Sequence, residues 1–318
     1  MTDQSTTDRR PCAQRRNTRP WVWFVVVIVL VLLVAAGIVI WQSQSRADSA
    51  EDAAHAYLRA LESGESSAVQ GTGVEVSDEA LQAFDGADSL VSEATVISVD
   101  QTGSSATAHV SFVLGETEHE ADLALVRSDG RWVPDGSGLA EVTVSTTVGS
   151  AVSIGDTVLE ASDALSLIPA VYTVAAAPTA YLTGSIAVVA LPGATDHVEV
   201  DASLRPEATE AAQERLDELL EACAAETALP ADGCGIRIPW GTEFRTVDDA
   251  AFRIETMPTL VLTDDGASFT ATGGKLVATL TGTAHDGSAP RTTTYRSENW
   301  AVRGDVAFSG DEMTLTVW

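Results

Sequence analysis

The longest pattern along the chain is an unbroken apolar run, WVWFVVVIVLVLLVAAGIVIW, from Trp21 to Trp41. It holds no charge and no hydrogen-bonding side chain except the indoles. As a helix it reaches about 31 Å, the hydrocarbon thickness of a bilayer. Trp21 and Trp23 at one end and Trp41 at the other stand where amphipathic rings prefer the headgroup region. The pattern predicts one transmembrane helix that stays in place as a signal-anchor. A cleaved signal peptide is the alternative, but its apolar core runs about 7 to 15 residues and ends at a small-x-small site. This run is longer and closes on Trp41. A second apolar stretch, Ile168 to Leu191, is broken by Pro169 and Pro178 and predicts buried strands instead of a second span.

Beyond a polar spacer, 42–47, the period becomes helical. Ala53, Ala54, Tyr57, Leu58 and Leu61 share one face, Ser49 with Asp52 resembles a capping box, and Gly64 suits the stop. A short helix is predicted from Ser77 to Phe84. The period then falls to two, over Ala94 to Asp100, Ala106 to Leu114, Glu118 to Arg127 and Arg131 to Pro134, with turns at Gly103, Gly115-Glu116 and Asp129-Gly130. Further short strands are predicted at Glu141 to Thr147, Val171 to Ala176, Ile186 to Leu191 and Val198 to Leu204. A second helix opens at Pro206-Glu207 with Ala208, Ala212, Leu216, Leu219, Leu220 and Cys223 on one face. From Phe252 to Trp318 hairpins return, punctuated by Gly266, Gly273-Gly274, Gly287, Gly304-Asp305 and Gly310-Asp311.

These elements predict a β-rich α+β architecture: a single N-terminal transmembrane helix followed by antiparallel-sheet modules, each with a packing helix. The expected divisions are a cytoplasmic basic tail at 1–20, the membrane helix at 21–41, the spacer at 42–47, a cone-like α+β domain at 48–138, a small β module at 139–204, and a helix plus antiparallel meander at 205–318.

Charge adds orientation. The tail carries Arg9, Arg10, Arg15, Arg16 and Arg19, whereas acidic residues dominate after the anchor, so the positive-inside bias places the N-terminus in the cytoplasm and residues 42–318 outside. The whole chain has a formal net charge of −28, and beyond residue 20 thirteen basic side chains face 44 acidic ones. Such a surface repels nucleic acid and anionic lipid headgroups, which excludes nucleic-acid binding as the expected function.

The segments AEDAAHAYLRALESGE and LVRSDGRWVPDG, with hairpins between them, resemble the nuclear-transport-factor-two-like folds. The resemblance covers residues 48–138 and implies a helix packed in the curl of a sheet, in a group that includes envelope-anchored bacterial domains. It implies no single activity, since the fold hosts isomerases, ligand carriers and assembly modules alike. The stretch SIGDTVLEASDALSLIPAVYTV resembles small β-sandwich repeats of bacterial surface proteins. The loop LLEACAAETALPADGC resembles loops in envelope proteins of high-GC Gram-positive bacteria, in keeping with Lys275 being the sole lysine.

Candidate chemistry is sparse. Cys223 and Cys234, on the outer side of the membrane, predict a structural disulfide, and their spacing is not that of a metal or redox pair. Cys12 lies in the cytoplasmic tail. His109, Glu116, Glu118, His119 and Glu120 fall on neighbouring strands, but the alternation of HVSFVLGETEHEAD reads as an exposed hairpin, and no metal ligand is assigned. No nucleophile elbow, zinc-protease motif or phosphate loop occurs, so no catalytic residue and no cofactor is expected. The first expectation is a non-enzymatic interaction module in the cell envelope, spanning the membrane and binding an envelope protein or a cell-wall component. The alternative is a carrier or sensor holding a small ligand in a cone lined by Tyr57, Phe84, Phe112 and Trp132.

Overall fold

The structure, a computed structural model, describes residues 49–161, 164–229 and 233–318. The tail, the apolar run with Trp21, Trp23 and Trp41, the five arginines and the spacer lie outside the described residues. Among the described residues no helix is long and apolar enough to cross a membrane.

Helix α1 (Ala50–Ser63) begins where the sequence places its cap. The Ser49 side chain accepts the Asp52 amide at 3.1 Å and donates to the Asp52 carboxylate at 2.7 Å. It stops at Gly64, whose φ of 69° is the left-handed conformation of a C-terminal glycine. Its Ala53, Ala54, Tyr57, Leu58 and Leu61 are all buried. Two short helices follow, α2 (Ser66–Gly71), which the sequence pattern does not announce, and α3 (Asp78–Asp85), capped by Ser77.

Four strands then form an antiparallel meander: β1 (Ser92–Thr102), β2 (Ser105–Leu114), β3 (Thr117–Ser128) and β4 (Arg131–Pro134). Two-residue loops join its strands, and the register of β1 on β2 shifts twice, between Ser92 and Thr95 and between Val96 and Ser98. Asp129 and Gly130 both take positive φ between the paired Ser128 and Arg131, as a type I′ turn requires. Alternate residues of β2, from Ala106 to Leu114, turn inward against α1, while their neighbours remain partly exposed.

The middle of the chain holds β5 (Ala140–Thr146), β6 (Ala151–Ile154), β7 (Thr157–Glu160), β8 (Ala164–Leu167), β9 (Ala170–Ala177), β10 (Leu182–Thr183), β11 (Ser185–Ala190), β12 (Thr195–Val200) and β13 (Ser203–Leu204). They make a four-stranded sheet in the order β11-β9-β6-β7, a three-stranded sheet β12-β5-β8, and the pair β10-β13. The apolar stretch from Ile168 to Leu191 is indeed strands. Two expectations are corrected here. β12 runs parallel to β5, pairing Thr195 with Glu141, so the sheets are not all antiparallel. Nor does this part carry its own helix: α3 from the preceding segment packs beside β7 and β8. Strand alternation records which face is apolar but not which distant strand lies alongside, and this explains both departures.

Helix α4 (Pro206–Ala224) buries Ala208, Ala212, Leu216 and Leu220, with Leu219 and Cys223 outside that buried set. The last sheet contains β14 (Phe244–Thr256), β15 (Thr259–Leu262), β16 (Ser268–Ala284), β17 (Arg291–Ser309) and β18 (Glu312–Val317), with β14 and β15 sharing one side of β16. Glycines expected to be turns at 273–274 and 304 instead lie inside long strands. Gly274 sits at a bulge against Trp300, and a side chain at Gly304 would stand 2.1 Å from the Thr316 carbonyl. Each permits a close approach of neighbouring chain.

Candidate functional site

Cys223 and Cys234 stand at disulfide distance, 5.8 Å between Cα atoms, joining the end of α4 to the following loop. The closed segment leads into a covering layer over the far end of the last sheet. Leu229, Ile238 and Trp240 pack there against Phe244, Ala250 and Leu280. The backbone holds this layer down as well: the Ala250 amide donates to the Thr227 carbonyl at 3.2 Å, and the Trp300 indole donates to the Gly235 carbonyl at 3.0 Å. The cystine is thus a clamp on a satellite core, distant in sequence from the first sheet.

The four aromatics expected to line a cone are packed away. Tyr57, Phe84 and Phe112 are each 1% exposed and Trp132 is 3% exposed. The Tyr57 hydroxyl donates to the Gly138 carbonyl at 2.7 Å, and burial pushes the phenol far above its ordinary titration. A ligand in this position would have to displace side chains that already satisfy one another.

Concave surface lies elsewhere. A cleft of about 1060 Å³ opens between the segment preceding α3, the end of β4 and the strands β7 and β8, and none of the four aromatics lines it. Its floor is apolar, with Val126, Val133, Leu159 and Leu167, and its walls carry Glu75, Glu79, Asp135, Glu141 and Glu160. No lysine, arginine or histidine is among its lining residues. The cleft is not legible in the sequence because its walls come from segments 73–80, 126–141, 158–160 and 164–167, which no local motif connects.

The histidines and carboxylates of the first hairpin separate onto two faces. His109 pairs with Asp122 and His119 with Phe112, so the two imidazoles point to opposite sides of the sheet. His109 instead meets Asp122 through Nδ1 and lies 3.4 Å from Asp100 through Nε2. Its titration is raised, first by the hydrogen bond to Asp122. Counting back from the two-residue Gly115-Glu116 loop would have placed Asp122 opposite His109 from sequence alone. Among the described residues no group of three or more His, Cys, Asp or Glu side chains is arranged to hold a metal ion.

No family model matches the chain, and neither does any curated protein or solved structure. The functional reading therefore rests on the chain's own residues.

Proposed function

We propose that the protein is a single-pass membrane protein, N-terminus in the cytoplasm, whose acidic residues 42–318 act outside the cytoplasm as a non-enzymatic interaction module of the cell envelope. Its partner in this reading is an envelope protein or a cell-wall component. The observation that carries the proposal is the packed interior of the first sheet: with Tyr57, Phe84, Phe112 and Trp132 buried, binding falls to the surface, where the acidic cleft lies. The same observation weighs against a small-ligand carrier that uses the cone. Support for the membrane anchor comes from the apolar run and the arginine bias, and the Cys223–Cys234 pair suits an oxidising compartment. The likeness of residues 48–138 to nuclear-transport-factor-two-like domains belongs to this proposal too, with the order of helices followed by a four-stranded meander in its favour.

Chemical cross-linking in intact cells, followed by detergent purification of the tagged chain and mass spectrometry, tests it. The expected result is reproducible recovery of one envelope component, lost when residues 47–318 are deleted. Recovery of the chain alone, or a robust hydrolytic or transferase activity in the purified protein, would overturn the reading.

A further inference from the structure

Three sheets end at the same cleft. β4 is the last strand of its meander, β7 the last of the four-stranded sheet and β8 the last of the three-stranded one. All three line the cavity, through Val133 and Pro134, through Val158 and Glu160, and through Ala164 and Leu167. An edge strand presents a row of backbone N–H and C=O groups that a further strand can pair with, and folded proteins ordinarily block such rows.

This molecule blocks some of its edges and leaves others open. At β15 the Gln213 side chain reaches from α4, accepts the Leu260 amide at 2.7 Å and donates to the Pro258 carbonyl at 3.1 Å. At β4 the strand closes on Pro134, which has no N–H to offer. Among the described residues neither β7 nor β8 has a neighbouring strand on its second side, and α3 packs beside both. β8 is the more open of the two, with Ala164 and Ser166 exposed and Leu165 half-buried. Beside these edges stand the carboxylates of Glu79, Glu141 and Glu160 without a cationic counterpart in the cleft.

We infer that the cleft receives an extended, lysine- or arginine-bearing segment of a partner protein, which adds as a strand to the outer edge of β8. Backbone pairing supplies the register. The glutamates meet alternate basic side chains, and Leu159 and Leu167 meet the apolar ones between them. The site is small, since β8 has four residues, so the contact is short and its affinity depends on charge and ionic strength. This inference rests on the interaction-module reading and specifies its surface and its partner's chemistry.

The test uses the full chain in a non-ionic detergent and a fluorescein-labelled hexapeptide of alternating lysine and valine, followed by anisotropy. Saturable binding is expected. Two further peptides, N-methylated on every second residue in either frame, separate strand addition from simple charge attraction. One frame blocks the pairing edge and is expected to abolish binding, while the other leaves it in place. The double variant Glu79→Lys, Glu160→Lys is expected to weaken binding about tenfold, whereas Glu210→Lys, Glu214→Lys on the exposed face of α4 leaves it unchanged. Failure to bind, equal binding of both methylated frames, or equal loss in the two double variants would overturn the inference. The methylated peptides give this answer on the unaltered protein, so poor folding of a variant does not cloud it. If the peptide fails while cross-linking still recovers a partner that depends on residues 47–318, strand addition at the cleft falls and the interaction module stands. If no partner is recovered either, both fall.

Discussion

Tyr57 both fills the space beneath the first sheet and donates a hydrogen bond to the Gly138 carbonyl. Phenylalanine there keeps the ring but leaves the buried carbonyl unpaired. Tyr57→Phe is therefore expected to cost about 1 to 2 kcal/mol, seen as a lower urea midpoint with an unchanged slope. Burial also raises the titration of Tyr57 above its ordinary 10.0, and burial followed by the nearby Tyr57 does the same for Tyr172. A phenol raised in the folded state contributes stability that is complete below the unfolded value and is lost as pH climbs toward the folded one. The melting temperature is expected to fall above about pH 10, and Tyr57→Phe to shallow that alkaline fall; an unaltered slope would contradict the assignment. On the outer face, His109 is expected to titrate above 6.5 because Asp122 accepts from it, with Asp100 adding less. A proton NMR titration of Asp122→Asn should show the imidazole moving back down. A value indifferent to that substitution would remove Asp122 as the cause.

Elements differ in how much of themselves they write locally. Helix α1 was legible in full, because its cap, apolar stripe and terminal glycine lie within sixteen consecutive residues, Ser49 to Gly64. Ser49→Ala should lower stability by about 1 kcal/mol, with fraying of the first turn visible in hydrogen exchange of the Asp52 amide. The strands and turns of the first meander were legible too, with β2 and β3 in unbroken register from their two-residue loop, but not the two shifts of register in β1. By contrast α2, at Ser66–Gly71, has too few residues to show a period, and Gly304 reads as a turn until the Thr316 backbone beside it is known. The clamp between Cys223 and Cys234 belongs to this scale as well. The two residues are 11 apart in sequence, so Cys223→Ser with Cys234→Ser is expected to cost about 3 kcal/mol. The loosening should reach Trp240 and Phe244 first, because the closed loop leads into the layer over Phe244, Ala250 and Leu280. Equal unfolding midpoints with and without the cystine would show that the layer holds by packing alone.

For the whole molecule, composition made the acidity plain, but the cleft whose walls carry five of those carboxylates could not be read from the chain. The cleft forms where α3 packs beside β7 and β8, strands that follow it by some seventy residues, and where the end of β4 and the start of β5 also line the space. Strand endings, not motifs, define it, and a strand's place at a sheet edge is a property of the assembled fold. The most direct measurement of the account is site-specific photocross-linking in intact cells, with a benzoylphenylalanine placed at Glu160 in the cleft and, in a separate chain, at Thr281 on the outer face of the last sheet. The account expects a discrete adduct from position 160 and none from 281. Adducts from neither position, or the same adducts from both, would contradict an interaction module that works through the cleft.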